Sequence, residues 1–197
     1  MWWEMRDIMI HNNKTSELIK QNDVFKVLLA IDLQKQFKDK SGQYEKCVNF
    51  IKEHFNDYYV VGSLFRNYDD SMYEQHLGWS ECKDVIYDYS GISPDVEYPY
   101  HKLICKNDHY GINANDVLDG SGICKAASEY TGDFMPKIKY YLIGCDADAC
   151  VMASAFELWD RRSDFEILTD YIYTNAEEFS LEDVIKIMRR NFGNCVK

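Results

Sequence analysis

The strongest constraint on the fold is the run Val24 to Ile31, eight residues broken only by Lys26 and ending at Asp32. A run of this length without polar alternation reads as a parallel strand buried on both faces. After a polar turn with Ser41 and Gly42, Tyr44, Cys47, Val48, Ile51 and Phe55 recur at helical spacing, and Tyr58 to Phe65 follows as a second strand. This is a βαβ unit. His101 to Cys105 and Lys139 to Ile143 read as further strands, with a less well-defined helical stretch over Asn115 to Tyr130 between them. Val151, Ser154, Ala155, Leu158 and Trp159 share one helix face, Phe165 to Leu168 forms a strand, and Leu181 to Phe192 closes the chain as an amphipathic helix. Strands alternating with helices predict a layered α/β fold on a parallel sheet, where ligands sit beyond the carboxyl ends of the strands. Arg66 to Pro99 shows little periodicity and carries Pro94 and Pro99, so it reads as a long excursion, a common home for functional residues.

Three reactive side chains, Asp32, Lys106 and Cys150, each follow a predicted strand, which brings them to one edge of the sheet. A free thiol with a pKa of about 8.5 is only roughly 3% thiolate at neutral pH, so a nucleophilic cysteine needs a base or a nearby cation. Asp32 and Lys106 supply both. Gly144 to Cys150 puts the thiol at the start of a helix, where backbone N–H groups and the helix dipole favour a thiolate and can receive an oxyanion. Singly, each residue has a plainer reading: Cys150 as a small buried hydrophobe, Asp32 as a cap, Lys106 as a solvated side chain. Their joint placement favours chemistry. Cys145 and Cys150 lack CxxC spacing and are not read as a redox pair; Cys145 is expected to face the core.

The balance of 22 basic and 33 acidic residues, a net charge of −11, disfavours nucleic acid or an anionic membrane as partner. Residues 1–10 interrupt their apolar positions with Glu4, Arg6 and Asp7, unlike a signal peptide or membrane span, which points to a cytoplasmic protein. Seven cysteines without zinc-like spacing argue against a disulfide framework.

Four segments resemble the isochorismatase-like cysteine hydrolases, which include nicotinamidases and N-carbamoyl amidohydrolases. Leu28 to Phe37 is similar to the first strand and D-x-Q-x-x-F motif, with Asp32 in the catalytic position. Lys102 to Lys106, leading to Tyr110, Gly111 and Ile112, is similar to the strand that precedes the catalytic lysine. Gly144 to Val151, with Ala153, Ser154 and Ala155, resembles the nucleophile segment, and Glu166 to Asp170 the strand ending in Thr-Asp.

The resemblance implies a three-layer α/β/α fold with a six-stranded parallel sheet in the order 3-2-1-4-5-6, residues 23–197 as the hydrolase domain and residues 1–22 as an extension. It implies a non-proline cis peptide at Cys145-Asp146, an oxyanion site there, and hydrolysis of an amide, ureido or carbamoyl C–N bond of a small molecule through a thioester. Phe37, Arg66, His109 and Tyr110 are the expected pocket residues, Tyr73 and Trp79 a lid or subunit contact, and a homo-oligomer the expected assembly. No cofactor is expected: where metal-binding relatives carry Asp-x-His, this chain reads Arg66-Asn67-Tyr68-Asp69. Ala147 replaces the usual threonine. Two rivals stand beside this reading, a catalytically silent relative and a metal-assisted hydrolase using Asn67, Asp69 and His76.

Overall fold

The computed structural model describes residues 24–88, 90–107, 110–112, 122–133 and 136–197. The N-terminal extension, His109 and the start of the expected helix over Asn115 to Tyr130 lie outside them.

Five strands, β1 (Val24–Ile31), β2 (Tyr59–Arg66), β3 (Lys102–Asn107), β4 (Lys137–Gly144) and β5 (Asp164–Ile172), form one sheet in the order β3-β2-β1-β4-β5. Every pairing is parallel. The described α-helices are α1 (Gln43–His54), α2 (Met72–Leu77), α3 (Ile123–Thr131), α4 (Met152–Asp160) and α5 (Leu181–Phe192).

The period of two along β1 divides the core into two layers. Leu28 and Ala30 pack with Tyr44, Cys47, Val48 and Ile51 of α1. Val27, Leu29 and Ile31 face the opposite layer, where α3, α4 and α5 contribute Ile123, Ala155, Leu158, Val184 and Met188. Both faces of β1 are therefore dry, which is why its sequence carries no polar alternation. Asp39 accepts the N–H groups of Gln43 and Tyr44 at 3.2 and 2.7 Å, so the polar turn ahead of α1 starts that helix.

The sixth strand expected from resemblance is not among the described elements of the sheet. Its place beside β5 is taken by a single parallel bridge from Val196 to Ile167, extended by Lys197 N–H to the Ile167 carbonyl at 3.0 Å. Two strands are longer than their apolar runs, because hydrogen-bonded partners carry β4 and β5 into polar sequence at Lys137 and at Thr169 to Asp170. Lys106, expected just beyond its strand, lies within β3. Among the described residues no helix is long and apolar enough to cross a membrane.

Candidate active site

At the carboxyl edge of the sheet, β1 delivers Asp32, β3 delivers Lys106 and the turn after β4 delivers Cys150. Lys106 Nζ lies 2.6 Å from Asp32 Oδ2, with both side chains 1% exposed. Lys106 also donates to the Tyr110 carbonyl and stands 5.6 Å from the Phe65 ring centroid. Cys150 lies beside both charged groups, close enough for each to act on its thiol. The three side chains that sequence brought to one edge thus form one cluster.

Their protonation follows from burial. Burial pulls the Lys106 pKa down, but the Asp32 carboxylate and Cys150 outweigh it, and the net shift is upward. Lys106 is an ammonium. Burial and the facing Asp32 carboxylate push the Cys150 thiol well above its ordinary range, against the opposite pull of Lys106. This corrects the expectation of a helix-favoured thiolate. The helix does not begin with a regular α-turn at Cys150: Ala147–Val151 forms a π-turn, with Val151 N–H reaching back to the Asp146 carbonyl at 3.0 Å. Its resting state is a thiol beside a carboxylate.

Supporting contacts fix these groups. Asp32 has φ +45, and its N–H donates to Ser63 Oγ at 2.9 Å while Ser63 donates back to Asp32 Oδ1 at 2.7 Å. Gln34, fully buried, accepts from Phe65 N–H at 2.7 Å and donates to the Phe65 carbonyl at 3.1 Å. That bidentate clasp ties the loop after β1 to the end of β2. Ser154 accepts from Ile112 N–H at 3.1 Å and donates to the Cys150 carbonyl at 2.7 Å, linking the Tyr110-Gly111-Ile112 segment to the nucleophile turn. Gly111 allows the two segments to approach closely: a Cβ there would meet the Ala153 backbone at 3.2 Å, and one segment would have to give by a few tenths of an ångström.

The Cys145-Asp146 peptide is cis. Cys145 is buried, with its thiol directed to the Asp32 carbonyl at 3.5 Å. Asp146 accepts from the Asn175 N–H at 2.9 Å. Burial pushes its carboxyl up to about 6, with Asp148 and Asp32 adding to the rise and Asn175 opposing it.

Cys150 and Asp146 open onto a cavity of about 160 Å³ walled by the rings of Phe37, Phe65, Tyr73, Trp79 and Tyr110. Tyr73 and Trp79 thus line the cavity. Arg66 lies elsewhere, lining a separate cleft with Asn67, Asp69 and Lys83 and donating to Asn107 Oδ1 at 3.3 Å. Ser63 and Gln34 carried no sequence signal for their contacts: one sits inside an apolar strand, and the other is recognisable only within the D-x-Q motif.

The residues weighed as a metal site do not fit one. Asn67 donates to the Trp79 carbonyl at 3.1 Å and accepts from Tyr68 N–H at 3.0 Å. Asp69 pairs with Lys83 at 2.7 Å, so an ammonium already meets its carboxylate. His76 is exposed on α2, and among the described residues no group of three His, Cys, Asp or Glu side chains is placed to hold an ion.

No protein-family model and no curated sequence matches the chain. Solved structures do match its fold. An isochorismatase-like hydrolase from Alkaliphilus metalliredigens superposes with a TM-score of 0.58 at 14% identity, covering 84% of this chain and 91% of its own. N-carbamoylsarcosine amidase from Thermoplasma acidophilum gives 0.57 at 17%, covering 86% and 93%. A nicotinamidase from Bacillus subtilis gives 0.56 at 15%, covering 87% and 98%. The fold is isochorismatase-like.

Proposed function

We propose that the chain is a cysteine amidohydrolase that cleaves an amide, ureido or carbamoyl C–N bond of a small molecule. The carrying observation is the Asp32–Lys106 pair, 2.6 Å apart and 1% exposed, facing Cys150 at the floor of an aromatic cavity. Burying a lysine and an aspartate costs stability that an apolar pair would not cost, so their retention beside a thiol speaks for chemistry. The fold's likeness to two amidases points the same way.

In this reading Asp32 takes the proton of the Cys150 thiol as Sγ attacks the carbonyl carbon, so a thiolate forms only as the C–S bond forms. The raised thiol pKa fits a nucleophile activated in this way. Lys106 pairs with Asp32 at 2.6 Å before the transfer and offsets negative charge during it. Backbone N–H groups of Asp146 and Cys150 receive the oxyanion, while that of Ala147 is committed to the Tyr173 carbonyl at 2.8 Å. Asp32 returns the proton to the leaving nitrogen as the C–N bond breaks. It then takes a proton from water, which attacks the thioester, and passes that proton to Cys150 Sγ as the C–S bond breaks and the acid leaves.

Ammonia release from a panel of small primary carboxamides and ureides, with intact-mass detection of a Cys150 acyl adduct, tests the reading. Turnover is expected in the native chain, with a loss of about 10³-fold or more in Cys150→Ser and Asp32→Asn. An unchanged rate in Cys150→Ser, or no release and no adduct across the panel, overturns it.

A further inference from the structure

We infer that the cavity above Cys150 selects a substrate carrying an organic cation, an ammonium or amidinium group set close to the amide, with Asp146 as its counter-charge. This rests on the reading of that cavity as the substrate pocket and goes beyond it to the class of amide taken.

The argument is one of charge balance. Asp146 is the single formally charged side chain among the described residues that wall the cavity. The nearby Lys106 charge is compensated by Asp32 at 2.6 Å, and the Arg66 guanidinium lies in a different cleft. An anionic substrate would enter facing Asp146 with no free cation to receive it. A neutral substrate would leave the partly desolvated Asp146 carboxylate with its hydrogen bond from Asn175 but no counter-charge.

The rest of the wall suits a cation. Five aromatic rings line a space of about 160 Å³. Phe37 and Trp79 are near parallel at 9°, while Tyr73 is inclined to Trp79 at 57° and to Tyr110 at 58°. Ring faces attract organic cations, and an aromatic enclosure with one carboxylate is the usual solution for binding an alkylammonium group. Lys106, 5.6 Å from the Phe65 centroid, already makes such a contact with one of the lining rings from within the core. The net charge of −11 favours the approach of a cation from solvent.

Asp146 is also held for this task. The Asn175 N–H donates to one carboxylate oxygen at 2.9 Å and so restrains the side chain of this cavity-lining residue. Specificity would then come from the residue next to the oxyanion site, within reach of the substrate group adjoining the carbonyl.

Trimethylglycinamide and 3,3-dimethylbutanamide test the inference, since they share one shape and one amide and differ in a quaternary nitrogen against a quaternary carbon. Binding to the full-length Cys150→Ser variant is measured by calorimetry, with protection of Cys150 from iodoacetamide as the parallel measurement on the native chain. The cationic amide is expected to bind roughly tenfold or more tightly than its neutral isostere. Asp146→Asn should bring the two within about twofold, and Trp79→Leu should weaken the cationic amide several-fold. Equal binding of the isosteres, binding of neither, or a preference that survives Asp146→Asn overturns the inference. Cation selectivity without hydrolysis of any amide would remove the hydrolase reading and leave this one. Hydrolysis with no preference for the cation would do the reverse.

Discussion

At the scale of single residues, the chemistry depends on a partner that its own sequence context conceals. Ser63 gives Asp32 a donor and an acceptor at 2.7 and 2.9 Å, at a position where the Asp32 backbone is in the left-handed region. Ser63→Ala leaves a buried N–H without its acceptor, and the expected loss is about 1–3 kcal/mol in denaturant unfolding. If Ser63 positions Asp32 for proton transfer, kcat should fall more than KM changes, and Ser63→Thr should restore both where a hydroxyl is all that is required. A fall in stability with kcat intact would assign Ser63 to folding alone. Asp32, Lys106 and Cys150 were legible because charged or reactive groups at strand ends break an apolar pattern. Ser63 was not, since a small hydroxyl inside an apolar strand fits equally well as packing.

At the scale of elements, the site is assembled by the close approach of β1 and β4. Gly144 pairs with Ile31 at the end of that ladder with φ +112, and a Cβ there would lie 2.1 Å from the Ile31 carbonyl oxygen. The Cys145 N–H then reaches the same carbonyl at 3.0 Å, which places the nucleophile turn against Asp32. Gly144→Ala is expected to lower stability by about 3 kcal/mol or more, because the atom it meets is backbone and cannot swing away. It should also reduce turnover among molecules that still fold, read as kcat per folded molecule by circular dichroism and ammonia release. The periodic helices were legible: α5 runs over Leu181–Phe192 as its apolar spacing predicts, opened by Ser180 accepting from Asp183 N–H at 3.2 Å. The π-turn at Ala147–Val151 was not, since its register is set by Tyr173 and Gly144 across the sheet rather than by local propensity. Burial and the facing Asp32 carboxylate, which the same assembly brings about, make Cys150 a buried thiol rather than the expected thiolate at a helix start.

At the scale of the whole molecule, residues 196 and 197 cover part of the β5 edge. Val196 bridges to Ile167, Lys197 N–H donates to the Ile167 carbonyl at 3.0 Å, and Thr169 N–H donates to the Lys197 carbonyl at 2.8 Å. Removing residues 195–197 uncovers this part of the β5 edge and the pocket side of Phe165. The expected result is a loss of about 2 kcal/mol in denaturant unfolding, from the two backbone bonds and buried Val196, with increased self-association by light scattering. Unchanged stability and monodispersity would mean that β5 tolerates an open edge. By itself the sequence determined the parallel α/β layering, the strand that ends at Asp32, the helix faces and the three side chains at one sheet edge, because burial imprints its period directly on residue order. Only the tertiary structure decided the number of strands, the protonation of Cys150, the exclusion of Arg66 from the cavity and the aromatic walls around Asp146. Those depend on which distant segments meet, and on the water that their meeting removes.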